Sequence, residues 1–566
     1  MALVIRNALV LTNDDAQPVI PHGEILIEGS KIAAVGAKVE APAGAEVLDA
    51  GGMVAMPGLI NAHHHLYSSF ARGFAPPGEP ASNFVQILER MWWKLDLALD
   101  AEAVRYSSYV ALLEAIHTGC TTIIDHHASP SCTDGSLDVM EETFRAAGLS
   151  GCLCYETSDR NIPADGVAEN ERFIKKTRAG VGQITALFGL HAQMTLGDAT
   201  LEATARICAE TGAGVHIHVA EDLSDETDCL AKHGMRIIPR LHKFGLTGAK
   251  SLFIHGIHLD EAEMDLIAET GTMMVHNPES NMNNAVGTQK MLTLLKKGVL
   301  LGLGTDGMTS HMISAARVAH LLQRATLGDP RVAFVEACDM LLNKNAQIAA
   351  RCFPEPRGQL KPGQLADVAI FDYVPTTPLE PGRVLGHLLY GLNYARCHTT
   401  IARGKVLMRD SKVLTLDERE ICAKAHECAR QTWARFKAGS AGGIFPRTQP
   451  TVANMNIGID LISFHAPAYY LDLRVLAEKR GVDPDKFVVG IGQERMAVAP
   501  PDQDIVTLAA NAALPIVEKA GRENIEMVLF ATESSIDQSK AAACFCHRLL
   551  ELPARCRCLE TKEACY

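Results

Sequence analysis

Met56-Pro-Gly-Leu-Ile-Asn61-Ala-His63-His64-His65 carries an apolar segment into three consecutive histidines. Side chains of a strand alternate between its faces, so His63 and His65 point one way and His64 the other. Two imidazoles on one face, at the end of a buried strand, make half of a metal site. The chain supplies candidates for the other half further on.

Apolar strand candidates recur at 59–65, 121–127, 151–157, 184–191, 214–221, 251–258, 271–278 and 299–307. Periodic helical stretches such as 101–117 and 201–210 separate them. Such an alternation over roughly 250 residues predicts an α/β fold, a (β/α)₈ TIM barrel. The strand ends carry His63/His65, Asp125-His126-His127, Glu156, His191, His218/Glu221, His255, His276 and Asp306. Polar, metal-competent residues at every strand end fit a site at the C-terminal mouth of the barrel. Before and after it, Leu3–Leu11, Gly23–Gly29, Lys31–Gly36, Ala366–Asp372 and Thr400–Leu407 read as short strands. Their alternation predicts a small sheet built from both ends of the unit.

The metal candidates are His63 and His65 on the first strand, His218 on the fifth, His255 on the sixth and Asp306 on the eighth. Neutral imidazoles with a carboxylate suit one divalent ion, Zn²⁺ first and Fe²⁺ as the alternative. Water bound to zinc has its pKa lowered to about 7, which makes a nucleophile at neutral pH. Singly, each residue is weak: a lone histidine on an apolar strand is more often a hydrogen-bonded core residue, and Asp-Gly is more often a turn. His64, His216 and His258 take that structural reading. The joint pattern around one barrel raises the odds for the rest.

Pro57-Gly-Leu-Ile-Asn-Ala-His-His-His65, His218-Val-Ala-Glu221, His255-Gly-Ile-His258, His276-Asn-Pro-Glu-Ser-Asn281 and Gly304-Thr-Asp-Gly307 resemble the amidohydrolase superfamily. The likeness spans residues 1 to about 438, in the branch of guanine, cytosine, S-adenosylhomocysteine and 8-oxoguanine deaminases and chlorotriazine hydrolases. Within it, the segments 92–100, 125–130, 156–161 and 280–284 resemble the SsnA-type aminohydrolases of selenium and purine metabolism. The resemblance implies one metal ion held by His63, His65, His218 and Asp306. It gives His255 the orienting of water and the polarising of substrate, gives Glu221 the proton shuttle, and turns His191 and His276 toward the substrate. Water would add to an sp² carbon bearing an amino group, with Asp306 or His255 taking its proton. Glu221 would protonate the ring nitrogen, and the amine would leave as ammonia. The family usually has His-Ala-Pro, an aromatic residue and Thr on the fourth strand; here His191-Ala-Gln-Met-Thr195 alters that wall.

Ala438-Gly-Ser-Ala-Gly-Gly443 and Arg447-Thr-Gln-Pro-Thr451 read as a linker. Beyond it, Met455–Pro467, Gly490-Ile-Gly-Gln493, Ala531-Thr-Glu-Ser534 and Lys562-Glu-Ala-Cys-Tyr566 resemble the start of a hydroxymethylglutaryl-CoA synthase, a thiolase-like fold. That resemblance gives Glu533 the general acid/base role and Cys565 the acetyl-accepting thiol. The family's catalytic histidine would fall beyond Tyr566, so the expectation is a truncated, inactive fragment, from fusion, read-through or an assembly error. A thiolate nucleophile needs a partner that lowers its pKa. The expected domains are a composite β-sandwich (1–56 and 358–437), the barrel (57–357), a linker (438–454) and the thiolase-like fragment (455–566).

The formal net charge of −13 argues against a nucleic-acid surface. No apolar run has the length of a membrane span. The start lacks the basic and small-residue features of a signal peptide, and the 16 cysteines read as reduced thiols of a cytoplasmic protein. The expected partners are a small heterocyclic substrate and water, with a homodimer as the family analogy. The leading expectation is a metal-dependent aminohydrolase that cleaves a non-peptide C–N bond of a purine-like or other heterocyclic base. Acyl transfer by the C-terminal part, read out as label moving from acetyl-CoA to Cys565, is the alternative from another class. A non-catalytic scaffold is the third, and the complete ligand set speaks against it.

Overall fold

Parallel strands, buried on both faces, form a barrel in the computed structural model, which describes residues 2–160, 166–178, 180, 182–441, 460–490, 492–532 and 540–562. In order they are Leu59–His64, Cys120–Asp125, Ser150–Leu153, Ile184–Ala186 continuing as Phe188–Ala192, Val215–Val219, Leu252–His255, Met273–His276 and Leu301–Leu303. Each pairs in parallel with the next. Short polar side chains start the helices between them. Asp100 accepts from the Ala103 amide, Asp222 from Ser224, and Asp260 forms a reciprocal box with Glu263. Caps of this kind contribute about 1 kcal/mol each. Gly148, Gly234 and Gly271 end helices in the left-handed conformation.

The fourth strand differs from the single run predicted over 184–191. It is interrupted at Leu187, so its first piece pairs with the third strand and its second with the fifth. Beyond the break, the tail of the third strand returns to it: the Thr157 amide donates to Gly189 O at 3.1 Å and the His191 amide to Thr157 O at 3.0 Å. A Cβ at Gly189 would lie 2.2 Å from Tyr155 O, so the crossing admits only glycine.

Two devices close the barrel. At the upper end the Thr305 and Asp306 amides both donate to His63 O at 3.0 Å, and the His65 amide donates to Asp306 O at 3.2 Å. Deeper in, fully buried Asn345 accepts from the Leu303 amide at 2.7 Å and donates to Ile60 O and Leu303 O at 2.7 and 2.9 Å. One amide side chain thus ties the eighth strand to the first.

Strands from both ends of the unit join one sheet: Ala2–Leu11, Val19–Glu28, Lys31–Gly36, Glu46–Asp49, Val54–Pro57, Val368–Phe371, Cys397–Ala402, Lys405–Arg409 and Lys412–Val413. Val54–Pro57 meets Val368–Phe371 antiparallel, with Ala55 opposite Ile370. The far edge folds back onto residues 363–366, Ile32 N reaching Gln364 O at 3.0 Å and Gly363 N reaching Ile32 O at 2.9 Å. The resulting sandwich encloses Ile5, Ile25, Ile27, Leu360, Val368 and Ile370.

Two helices within 358–437 lie on the barrel instead of in that sandwich. Val384–Tyr390 packs on Met312–Leu327, with His320 Nε2 and Tyr390 OH 3.0 Å apart. Glu418–Ala441 packs on Ala101–His117, and Trp433 Nε1 donates to Phe70 O at 2.7 Å. This helix continues through Ala438–Ala441, read above as linker. Phe436, packed 4.7 Å from the Phe74 ring, anchors the turn just before it.

The chain divides into two units, Met1–Phe445 and Pro446–Tyr566. In the second, parallel strands Met527–Thr532 and Arg557–Lys562 pack with helices Ile505–Ala520 and Ala542–Leu549 around Val506, Val517, Phe530 and Cys546. Glu533 and Cys565 lie outside the described residues. Among the described residues no helix is long and apolar enough to cross a membrane.

Replacing Asn345 with leucine keeps the volume but strands the Leu303 amide and the Ile60 carbonyl in a dry core. Each unpaired backbone group costs about 1–3 kcal/mol, so Asn345→Leu should destabilise the barrel by roughly 3 kcal/mol. Urea titration followed by near-ultraviolet dichroism measures it, and an unchanged midpoint would refute the clamp.

Candidate active site

The strand ends bring His63, His65, His218 and Asp306 together, with one donor atom from each inside a 4.8 Å cluster. Asp306 Oδ1 stands 3.0 Å from His65 Nε2 and 3.4 Å from His63 Nε2. The outer nitrogens set the tautomers. His65 Nδ1 meets His126 O at 2.6 Å and His218 Nδ1 meets His191 O at 2.7 Å. A carbonyl only accepts, so each Nδ1 carries the proton and each Nε2 presents a lone pair. Those two lone pairs face one another at 3.2 Å. His63 is held from behind by His216, Nδ1 to Nε2 at 2.8 Å, and its own buried Nε2 makes no hydrogen bond, Asp306 Oδ1 being its charged neighbour.

Lone pairs converging on a carboxylate repel unless a cation lies among them. The electrostatics agree. Burial opposes a proton on His65, yet Asp306, Glu156 and Asp125 surround it with negative charge and push its pKa up to about 9, so without a metal a proton takes the place on Nε2 that the cation would fill. Burial holds His63 and His218 well below the ordinary histidine value, so both are neutral and ready to ligate. Burial tends to raise the Asp306 pKa, but His63 and His65 outweigh it and hold the carboxyl well below the usual range. A divalent ion fits this donor set, with Zn²⁺ and Fe²⁺ both compatible.

Backbone strain marks the same place. Ala220, His255 and Asp306 adopt positive φ of 46°, 70° and 54°, left-handed values that residues with a Cβ seldom take. At Asp306 the turn is locked by His64, whose Nδ1 donates to Asp306 O at 2.6 Å. His64 therefore positions the carboxylate from outside the cluster.

Glu221 and His255 sit beside the ligands. His255 Nε2 is 3.3 Å from Glu221 Oε2 and 3.8 Å from Asp306 Oδ2. Asn281 donates to His255 Nδ1 at 2.8 Å, which leaves the His255 proton on Nε2, aimed into the site. Burial and the Asp306 charge push the Glu221 pKa well above the usual carboxylate value, which favours its neutral form. Asn284 Nδ2 orients it at 3.2 Å, and Ser280 Oγ donates to Asp306 Oδ2.

Above these groups opens a cavity. Its walls include Tyr67, Phe84, Leu88, Trp92, Trp93, His191, Met194 and Met308. A π-helical turn over Leu88–Trp92, inside the helical run from Phe84 to Ala98, aims both tryptophans inward. His191 lines the cavity, whereas His276 is fully buried and does not. Of the altered pair on the fourth strand, Met194 lines the wall and Gln193 is buried behind it. Sequence reasoning gave no role to Ser280, Asn281 and Asn284, or to a buried Asp96–Arg160–Glu156 chain on the opposite wall. Their signal was the polar run 280–284 on a helix start and the charged pair Glu156/Arg160, neither of which names a ligand by itself.

Imidazole and carboxylate donors at a barrel mouth, with Glu221 beside them and a cavity above, are the parts that metal-assisted hydrolysis requires. Residues 54–407 match the model of the amidohydrolase family. A 5′-deoxyadenosine deaminase of Methanosarcina mazei is 30% identical over 444 residues, 77% of this chain and 99% of its own length. A 5-methylthioadenosine/S-adenosylhomocysteine deaminase of Moorella thermoacetica is 33% identical over 416 residues, 72% of this chain and 94% of its own. A zinc-bound adenosine deaminase structure from Xanthomonas campestris superposes with a TM-score of 0.67 at 25% identity, covering 77% of this chain and 98% of that one. The chain belongs to the amidohydrolase family, and is a hydrolase of carbon–nitrogen bonds other than peptide bonds. Residues 453–566 match the model of the N-terminal part of hydroxymethylglutaryl-coenzyme A synthases.

Elemental analysis of purified protein should find about one divalent transition metal per chain, because the donor set is complete. Asp306→Asn, which removes the one carboxylate of the cluster, should deplete it. Metal absent from the parent, or unchanged in the variant, would refute the ligand assignment.

Proposed function

We propose that residues 1–445 are a divalent-metal-dependent deaminase, zinc in the first instance, acting on a purine-like heterocycle as free base or nucleoside. One observation carries this reading. The converging His63, His65, His218 and Asp306 donors stand beside Glu221, at the floor of a cavity walled by Trp92 and Trp93. The relatives are named for deaminating 5′-substituted adenosines, which supports the chemistry and the purine ring. The segments that resemble the SsnA-type aminohydrolases supply Trp92, Trp93, Asp96 and Glu156 to the wall, and support that branch as the particular one.

When bound, the metal would supply Lewis acidity that makes water a nucleophile at neutral pH. The chain's own groups do the remainder. Trp92 and Trp93 hold the flat ring and exclude water. Asp306, kept ionised, accepts a proton from the attacking water. Protonated Glu221 gives its proton to the ring nitrogen next to the carbon under attack, and His255 Nε2–H donates toward the new oxygen. One C–O bond forms and one C–N bond breaks: the proton taken up by Asp306 passes to the amino group, which departs as ammonia, and the new hydroxyl returns its proton to Glu221 as it becomes a carbonyl.

The test is ammonia release across adenosine, 5′-deoxyadenosine, S-adenosylhomocysteine, guanine, 8-oxoguanine, cytosine, pterin and aminotriazines. At least one purine-type compound should turn over, and Glu221→Gln should lower kcat by about 10²–10⁴ while leaving metal content intact. A metal-loaded protein silent on all of these compounds would contradict the proposal.

A further inference from the structure

The wall facing the metal ligands holds a buried ionic chain that the deamination chemistry leaves unused. Arg160 Nη2 bridges Glu156 Oε1 at 2.8 Å and Asp96 Oδ2 at 3.0 Å, and its guanidinium lies 4.8 Å from the Trp93 ring centroid. Asp96 and Glu156 are buried, and both line the cavity. Two carboxyl groups therefore share one guanidinium; burial raises the Asp96 pKa to about 7, so Glu156 carries the negative charge that faces the cavity. The pairing is also incomplete. Asp96 Oδ1, the Trp93 indole nitrogen and His126 Nδ1 are all buried without a hydrogen-bond partner. His126 Nδ1 and His191 Nε2 approach Glu156 only to 3.4 and 3.8 Å.

Glu156 has one short bond, from Arg160 to Oε1, and Oε2 has only the 3.4 Å approach of His126, so a ligand N–H has room to add a bond to a buried carboxylate that lines the cavity. Distance decides which part of a ligand does so. A Glu156 oxygen lies within 4.8 Å of ring nitrogens of His65 and His126. Since His65 is a proposed metal ligand, a group touching Glu156 belongs to the ring under attack and not to a remote substituent.

We infer that Glu156 is a specificity residue that accepts a hydrogen bond from a second N–H donor on the substrate ring. The substrate class is then a diamino- or amino-oxo-heterocycle, whose edge beside the reacting carbon carries an amino or imino group. A ring of adenine type, with bare acceptor nitrogens and a C–H at that edge, leaves Glu156 unpaired. Arg160, which is not part of the cavity lining, ties Glu156 to Asp96 and so keeps Glu156 at the cavity wall. This reading deepens the proposed deaminase and rests on it for the pose of the ring.

The experiment is equilibrium binding of 2,6-diaminopurine and adenine to the full chain, both metal-loaded and chelator-stripped. It is read by quenching of tryptophan fluorescence and by calorimetry. A hydrogen bond to a charged group predicts that 2,6-diaminopurine binds about ten- to a hundredfold tighter than adenine. Glu156→Gln should abolish that preference while thermal melting stays cooperative. The comparison of two ligands on the parent protein holds even if the variant fails to fold. Equal affinity for the two bases, or no binding of either, overturns the inference. So does a variant in which the preference survives, or in which only the ratio of adenosine to 2′,3′-dideoxyadenosine changes, since that would place a sugar against Glu156. Ammonia release without any preference would sink this inference and leave the deaminase standing; preference without ammonia release would do the reverse.

Discussion

The backbone hydrogen bonds that join the eighth strand to the first fall on the residues whose side chains converge for catalysis. His63 O receives the Thr305 and Asp306 amides, and Asp306 O receives the His65 amide and the His64 ring. Barrel closure and site assembly are therefore one event. Asp306 is turned toward His63 and His65 by a left-handed backbone that costs on the order of 1–2 kcal/mol in isolation, and the seam holds it there. Gly304 is part of the same constraint, because a Cβ at that position would lie 2.8 Å from His63 O and 2.5 Å from Asn277 Oδ1.

From the seam outward, each layer fixes the one inside it. The far nitrogens of His65 and His218 donate their protons to carbonyls of neighbouring strand ends, which turns the near nitrogens toward the cluster. His216 does the same service from beneath His63. Asn281 sets the His255 tautomer, and Asn284 turns Glu221. An array in which several donors are held by backbone and amide partners changes little on loading, which is the condition for electrostatic preorganisation.

Much of this was legible in the sequence because it depends on periodicity. Alternation separates His63 and His65 from His64, and the strand–helix rhythm orders the ligands around a barrel. What escaped depends on three-dimensional approach. The break at Leu187 follows from the crossing of Tyr155 and Gly189, residues far apart in sequence. The helix through Ala441 defied its Gly- and Ser-rich composition because Trp433 and Phe436 dock it on the barrel. His64 reads as a bystander by alternation, yet its ring locks the turn at Asp306. Likewise, Asp96, Arg160 and Glu156 become one chain only when the helical run after the first strand meets the end of the third. The second unit obeys the same logic locally, with an Asp504 capping box opening its long helix and a small core around Phe530.

X-ray absorption at the metal edge of the purified protein tests the central claim most directly. The account predicts a first shell of nitrogen and oxygen at about 2.0–2.2 Å, with the outer-shell scattering of three imidazoles and no sulfur. A shell containing sulfur, or one lacking imidazole scattering, would contradict the assignment of His63, His65, His218 and Asp306.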